Sequence, residues 1–179
     1  LRAAEDPRVK RVLVCSPDKD LAQCVTDDGR IVQLDRRQEI LYDRAGVVEK
    51  FGVPPAAIPD WLALVGDAAD GIPGLPGWGA KSSSALLARY GHLEAIPADP
   101  EDWDVTVRGA AKLGATLVEH RDEVLLYRHL TTLDPTAPVM AHVDELAWEG
   151  PLDNLGDLCT HLDAPRLAER AVALAGRAS

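Results

Sequence analysis

The sequence predicts an α/β fold in which a core with a parallel sheet is followed by a mostly helical region. Three observations support this prediction. Residues 11–16 form a short apolar, β-branched run, which is typical of a buried strand in a parallel sheet. Two alternating runs follow at 31–34 and 39–42, and most of the chain beyond residue 44 has helical spacing. With 179 residues, of which 46% are hydrophobic, the chain is long enough to bury a core.

The first third of the chain is expected to alternate between strands and short helices. Pro17 ends the first strand, and Gly52 is a natural C-terminal cap for a helix. In chain order, the elements expected after the first strand are a helix at 18–25, a turn at 27–29, a hairpin or two edge strands at 31–34 and 39–42, and helices at 44–51 and 58–65.

The segment 66–81 is the most unusual stretch of the chain. Its five glycines and two prolines exclude a long regular element, while its apolar side chains argue against a flexible linker. Beyond it, helices are expected at 82–90, where Gly91 ends the helix, and at 103–120, 122–130 and 166–175, with a short strand within 138–148.

The overall composition bears on compartment and partners. A formal net charge of −10 argues against a general nucleic-acid coat, so any grip on DNA has to be local. No apolar run is long enough to span a membrane, and the spacing of Cys15, Cys24 and Cys159 suits a reducing cytoplasm better than a metal site. Because the chain opens with Leu1 and its first strand follows almost at once, we expect an N-terminal portion to be missing.

The stretch around Gly77 and Gly79 has the features of a phosphate clamp. Two glycines one residue apart leave backbone N–H groups uncovered, and a helix N-terminus directly after them adds further donors and the positive end of a dipole. Lys81 supplies a cation beside this array, and the serines at 82–84 can donate a hydroxyl. Such a contact is independent of base sequence. The alternative is an ordinary glycine turn capped by a helix.

The same stretch resembles the helix–hairpin–helix motif, an apolar-Gly-apolar-Gly hairpin followed by a helix with an A-x-x-L-L pattern. The residues that carry the resemblance are Gly77, Trp78, Gly79, Ala85, Leu86 or Leu87, Tyr90 and Gly91. The resemblance implies that the hairpin contacts DNA phosphates, with a bound monovalent cation such as K⁺. The residues expected to contact DNA are Gly77, Trp78, Gly79, Lys81 and Ser82.

Two pairs of carboxylates lie where a site is expected. Asp18 and Asp20 follow the first strand, and ligands bind beyond the carboxyl ends of parallel strands. Asp67 and Asp70 precede the hairpin, and their spacing of three would place them on one side of a helical turn. Clustered carboxylates repel each other unless a cation lies among them, and Mg²⁺ and Mn²⁺ suit all-oxygen ligands. Taken alone, each pair is also explained by helix capping or turn formation.

These segments are similar to those of the 5′-nuclease family, which includes the 5′–3′ exonuclease domain of bacterial DNA polymerase I, stand-alone 5′–3′ exonucleases and flap endonucleases. The matching segments are SPDKDLAQ at 16–23, KFGVPP at 50–55 and LVGDAADGIPGLPGWGAK at 64–81. The resemblance implies two Mg²⁺ or Mn²⁺ ions, catalytic carboxylates at Asp18, Asp20 and Asp70, and an accessory metal ligand at Asp67. It also implies a monomer that acts on duplex DNA with a 5′ end or a 5′ flap.

The resemblance divides the chain into three parts. Residues 1–65 would be the C-terminal part of a PIN-like nuclease core, 66–135 a SAM-like helix–hairpin–helix domain that binds DNA, and 136–179 a mixed or helical segment that returns to the core. Two residues depart from the family pattern, with Gly71 at the place of an Asn and Trp78 at the place of an Ile. The family's first metal-binding Asp, its acidic helix and its basic arch are not found in residues 1–179.

Two alternatives to a nuclease stay open at this stage. One is a truncated helix–hairpin–helix module that binds DNA without catalytic competence. The other is a scaffold of the same motif that binds a protein partner, which the low basic charge allows. Other charged side chains are ambiguous: Arg108, Lys112 and Arg128 could contact the DNA backbone or only solvent, and the five histidines lack ligand spacing. Trp61 and Trp103 are expected in the core.

Overall fold

A computed structural model of the chain describes residues 1–139 and 142–178. The chain divides into two compact units, Leu1–Pro138 and Val139–Ser179. Among the described residues, no helix combines the length and the apolar composition needed to cross a membrane.

The first unit contains a three-stranded sheet in the order β1-β2-β3. Strands β1 (Val12–Val14) and β2 (Ile31–Asp35) are parallel, with Val14 opposite Gln33, and β3 (Ile40–Tyr42) lies antiparallel to β2. The predicted α/β class, the parallel pair and the hairpin are thus confirmed. The expectation that the first strand is buried is wrong, because half of the Leu13 side chain is exposed in β1.

The helix between β1 and β2 is shorter and more tightly wound than expected. The predicted helix at 18–25 is a 3₁₀ helix, Asp20–Cys24. The side chain of Asp18 accepts a hydrogen bond from the Asp20 amide at 3.1 Å, which forms a local turn just before this helix. The turn at 27–29 is present, with Gly29 at a positive φ of 70°.

Six α-helices belong to the first unit: α1 (Arg2–Glu5), α2 (Arg44–Phe51), α3 (Ile58–Val65), α4 (Ala80–Tyr90), α5 (Ala110–Glu119) and α6 (Arg121–Thr131). Helix α2 begins at Asp43, whose side chain accepts from the Gly46 amide at 2.9 Å, and ends at Gly52 in the left-handed conformation, as predicted. Helix α3 is buried along nearly its whole length and packs against α4, α6 and the 3₁₀ helix Asp20–Cys24. The core of the unit is built around α3.

The helix predicted at 103–120 forms only over the range of α5. Gly109, directly before α5, has a φ of +76°, a conformation that a helix interior cannot include. Upstream, Trp103 is buried and donates from its ring nitrogen to the Pro97 carbonyl at 2.8 Å, so the side chain fixes an irregular segment instead.

The second unit contains a 3₁₀ helix, Val143–Leu146, and two α-helices, α7 (Leu155–His161) and α8 (Pro165–Ala178), which pack against each other. Helix α8 confirms the helix predicted at 166–175, whereas α7 was not predicted. The expected strand within 138–148 is wrong for residues 142–148, and residues 140 and 141 lie outside the described residues. The three-part division at 65 and 135 stays a prediction.

Candidate metal centre and nucleic-acid interface

Three carboxylates from two distant segments meet at one point of the first unit. Asp18, Asp20 and Asp70 each offer one carboxylate oxygen, and these oxygens all lie within 4.8 Å of one another. Asp18 and Asp20 belong to the segment after β1, and Asp70 belongs to the turn between α3 and α4. The structure therefore brings together the three residues that the sequence predicts as catalytic.

Hydrogen bonds from the Gln33 side chain fix the backbone of the segment after β1. This side chain lies in β2 with 1% exposed, and its amide nitrogen donates to the carbonyl oxygens of Ser16 at 2.8 Å and Asp18 at 2.5 Å. The parallel register, which sets Val14 opposite Gln33, delivers the side chain to this position. Sequence reasoning missed Gln33; a Gln among apolar strand residues was the available signal.

A second glutamine, Gln23, ties the same segment to the end of α6. Its amide nitrogen donates to the carbonyl oxygens of Asp20 at 2.8 Å and Thr131 at 2.9 Å, and its oxygen accepts from the Leu133 amide at 3.0 Å. Every strong hydrogen-bonding atom of this side chain is used. Gln23 was part of the SPDKDLAQ segment, but its spacing gave no hint of these partners 108 and 110 residues away.

Asp70 is positioned by a narrow turn rather than by a helix. Asp67 and Ile72 form an isolated antiparallel bridge, with N–O distances of 2.8 and 2.9 Å, and Gly71 closes the turn at a φ of +73°. Below the turn, Gly66 and Gly74 pack so closely that a Cβ on Gly74 would lie 2.6 Å from the Gly66 nitrogen. The Asp70 amide also donates to the Asp67 carbonyl oxygen at 3.2 Å, so the two residues belong to one hydrogen-bonded turn, as expected, although this turn does not continue into a helix.

Asp67 lies apart from the three clustered carboxylates in its bonding. Its side chain has 3% exposed and forms an ion pair with Lys19, at 2.6 Å between Nζ and Oδ2, while Oδ1 accepts from the Ala69 amide at 3.1 Å. Burial would raise the pKa of Asp67, but the bonds to Lys19 and Ala69 outweigh it, so the pKa lies below its usual value. Asp67 is therefore a paired carboxylate, and it is not one of the three whose oxygens lie within 4.8 Å of one another.

Asp20 has the features of a carboxylate that binds a cation. Its Oδ1 is buried and has no hydrogen-bond partner among the described residues. Burial raises the pKa of this carboxyl to about 6, and the neighbouring carboxylates, Asp18 first, add to the shift. An unpartnered buried oxygen within an all-oxygen set fits a hard divalent ion such as Mg²⁺ or Mn²⁺.

The glycine hairpin places backbone donors at the surface beside α4. Gly77 is exposed and has a φ of +83°, and Gly79 precedes the first residue of α4 in an extended conformation. The first amide of α4 with a partner in the helical pattern is that of Ser83, which donates to the Gly79 carbonyl oxygen. The amides of residues 80–82 precede it and lack such a partner. The Ser82 hydroxyl bonds to both backbone groups of Gly79, at 3.2 and 3.0 Å, and thus caps the helix. Lys81 is exposed.

Trp78 corrects one predicted DNA contact. The side chain has 7% exposed, and its ring nitrogen donates to the Leu113 carbonyl at 3.2 Å. The ring also packs edge-on against Trp103, with centroids 6.5 Å apart. A tryptophan at this position could contact DNA or pack in the core, and in the structure its side chain packs in the core.

The cationic side chains on the later helices differ in their availability. Arg128 pairs with Glu94 at 2.5 Å and with Asp60 at 3.3 Å, and Asp60 has only 2% exposed and also contacts His92 at 2.8 Å. Arg128 therefore serves an internal ion-pair network. Arg108 and Lys112 are exposed, as a role at a DNA backbone requires.

Comparison with known proteins identifies relatives. The profile of the family described as "5′-3′ exonuclease, C-terminal SAM fold" matches residues 53–154. The chain is 39% identical to DNA polymerase I of Pseudomonas aeruginosa over 143 aligned residues. The aligned region covers 75% of this chain and 15% of that protein. It is 34% identical over 174 residues to DNA polymerase I of Mycobacterium leprae, and this alignment covers 93% of this chain and 18% of that protein. It is 41% identical over 86 residues to a 5′-3′ exonuclease of Aquifex aeolicus, and this alignment covers 48% of this chain and 29% of that protein.

Solved structures share the fold at low sequence identity. The T5 5′-exonuclease with bound zinc matches with a TM-score of 0.56 and 20% identity, over 68% of this chain and 43% of that one. A T5 flap endonuclease in complex with DNA and metal ions matches with a TM-score of 0.55 and 19% identity over the same shares. The chain spans between 15% and 29% of the length of the three curated relatives above. By its profile match and its relatives, the chain belongs to the 5′-3′ exonuclease family and contains the C-terminal SAM-fold region of that family.

Proposed function

We propose that this chain is part of a 5′–3′ exonuclease or flap endonuclease that hydrolyses DNA phosphodiesters with two divalent metal ions. The observation that carries the proposal is the meeting of Asp18, Asp20 and Asp70 at one point, with a buried Asp20 oxygen that lacks a partner in the described chain. Membership of the exonuclease family and the metal ions in the T5 structures support it.

Within this proposal, the three carboxylates bind the divalent ions, Mg²⁺ or Mn²⁺. Such ions supply Lewis-acid chemistry, in which a water is activated and the leaving oxygen of the phosphodiester is stabilised. The residues of this chain keep the carboxylates in place: Gln33 and Gln23 fix the segment after β1, and the bridge at Asp67 fixes the turn that carries Asp70. Catalysis would thus depend on the neighbouring contacts that keep the metal-binding carboxylates oriented.

The hairpin is proposed to hold the duplex. The Gly77 amide and the first amides of α4 offer donors, and Gly79 has no side chain that would block a phosphate. The N-terminus of α4 adds its dipole and Lys81 adds a charge, so the contact is to phosphate and does not depend on base sequence. The monovalent cation expected at the hairpin belongs to the same proposal. Because the net charge is −10, phosphate binding is restricted to this local surface. Substrates with a 5′ end or 5′ flap would be selected by their shape.

Cleavage of a 5′-flap DNA substrate in the presence of Mg²⁺ tests the proposal, carried out with this chain and with a protein extended at its N-terminus. Asp70→Asn should lower cleavage by orders of magnitude while DNA affinity stays nearly unchanged, because the ligand is lost and the hairpin is intact. Unchanged cleavage would remove Asp70 from the site.

A DNA-binding module without cleavage is the second candidate. It is favoured by the small size of the carboxylate group, since a two-ion mechanism uses more ligands than the three carboxylates that meet among the described residues. Duplex binding by both proteins without Mg²⁺-dependent cleavage by either would establish this alternative.

A further inference from the structure

The side chain of Lys19 crosses between the two acidic segments. In the sequence Lys19 stands between Asp18 and Asp20, but its ammonium lies 2.6 Å from Oδ2 of Asp67, on the other segment. Asp67 has 3% exposed, whereas the Lys19 side chain has 41% exposed. A buried carboxylate next to the metal site is thus neutralised by a lysine that solvent reaches.

We propose that Lys19 is a positioning residue whose ammonium occupies the cation position at Asp67 and withholds this carboxylate from divalent ions. The open metal site then consists of Asp18, Asp20 and Asp70, and Asp67 serves as the anchor of Lys19. This inference rests on the proposed metal site, and it names the residue that limits how many carboxylates the ions can use.

The bonding of Asp67 supports an anchoring role. Both carboxylate oxygens are engaged, one by Lys19 and the other by the Ala69 amide, and both backbone groups pair with Ile72. The backbone bridge fixes the position of Asp67, while its Oδ2 becomes available to a divalent ion only if Lys19 leaves. Lys19 is held by this single ion pair and has a flexible stem, so it is the partner that can be exchanged.

The charge of Lys19 also acts on the site itself. Lys19 interacts electrostatically with Asp20, so it opposes the entry of a second positive charge there. A lysine that is only a structural tie between the two segments would have the opposite effect, because its loss would let the carboxylates separate and would weaken ion binding. The sign of the change in affinity therefore distinguishes the two roles.

Calorimetric titration with Mn²⁺ tests the proposal directly, using the chain and its variants Asp67→Asn, Asp70→Asn, Lys19→Met and the double variant Lys19→Met/Asp67→Asn. Lys10→Met is the matched control, since it removes the same charge from an exposed side chain. Asp67→Asn should change the Mn²⁺ dissociation constant by less than about threefold, whereas Asp70→Asn should raise it by about tenfold or more. Lys19→Met should lower the dissociation constant by roughly three- to tenfold, and adding Asp67→Asn should remove that gain.

Two results would overturn the inference while leaving the metal site in place. One is an equal loss of affinity in Asp67→Asn and Asp70→Asn, and the other is weaker binding by Lys19→Met than by Lys10→Met. If Lys19→Met fails to fold, as judged by circular dichroism, the comparison of Asp67→Asn with Asp70→Asn still decides. A chain that binds no Mn²⁺, or that binds it equally with Asp70→Asn, would instead remove the proposed site, and the inference with it.

Discussion

The amide nitrogen of Gln33 donates to the carbonyl oxygen of Asp18 at 2.5 Å, from a strand position with 1% exposed. A buried side chain of the sheet thus fixes the backbone of Asp18, whose own exposed side chain belongs to the carboxylate group. The grip depends on the parallel register of β1 and β2, since a shift by one residue would turn Gln33 to the other face. This hydrogen bond is one of those that couple the fold to the site.

Replacing Gln33 by Met should destabilise the chain and loosen the site together. Two carbonyl oxygens would lose a buried donor, which costs about 1–3 kcal/mol of unfolding free energy. Urea unfolding and Mn²⁺ titration measure the two effects, with the exposed Gln38→Met as control. A variant with lowered stability but unchanged Mn²⁺ affinity would show that Gln33 does not position Asp18.

Asp20 should make both stability and metal affinity depend on pH. Because its folded pKa of about 6 lies above the ordinary 3.8, the folded state holds more protons between these values. Its stabilising contribution is therefore complete below pH 3.8 and is lost as pH rises to about 6. Mn²⁺ has to displace this proton, so binding should strengthen as pH rises to about 6.

The difference between the chain and Asp20→Asn isolates this contribution. Thermal unfolding without metal, measured at several pH values, should show the loss in the chain and not in the variant. A difference between the two proteins that does not vary over this pH range would contradict the raised pKa of Asp20.

Gly79→Val tests the hairpin without disturbing the fold. Gly79 has extended backbone, and a Cβ there would meet no atom within 4 Å in the part of the chain that the structure describes. Valine keeps the backbone N–H, but its side chain would keep a phosphate away from the neighbouring amides. The variant should therefore melt like the chain but bind duplexes about tenfold or more weakly, since losing a hydrogen bond to a charged group costs about 1.5–3 kcal/mol.

Fluorescence anisotropy with duplexes of different sequence measures this loss, and Gly156→Val on α7 is the control. The loss should be the same for every sequence, because the hairpin contacts phosphate. A loss confined to some sequences would contradict a backbone clamp.

Trp78→Phe should lower stability and leave DNA binding alone. The change removes the donor to the Leu113 carbonyl and leaves a smaller ring in the core, at a cost of about 1–3 kcal/mol. Trp148→Phe, at a side chain with 54% exposed, should change neither property. Weaker DNA binding by Trp78→Phe at unchanged stability would return Trp78 to the DNA surface.

Local patterns predicted most of the elements and the two pairs of carboxylates. The β-branched run and the alternating runs give β1, β2 and β3, and Gly52 ends α2 as expected. The two carboxylate pairs could be noticed because strand ends and glycine turns mark where the backbone leaves the core, and the family resemblance then selected Asp18, Asp20 and Asp70. These are properties of neighbouring residues, which a single sequence displays.

The long-range pairs could not be predicted in the same way. Lys19 and Asp67 are ordinary charged residues, and only the fold brings the ammonium to the carboxylate. Gln23 reaches Thr131 across 108 positions, and Trp78 could equally have faced DNA until α5 supplied its acceptor at Leu113. Helix 103–120 was overestimated because the left-handed conformation of Gly109 depends on its surroundings.

The most direct test is a crystal of the chain soaked in Mn²⁺ and measured for anomalous scattering. The account predicts a peak about 2.2 Å from carboxylate oxygens of Asp18, Asp20 and Asp70 together. An ordered chain with no peak there, or with Asp70 turned away from Asp18 and Asp20, would contradict it.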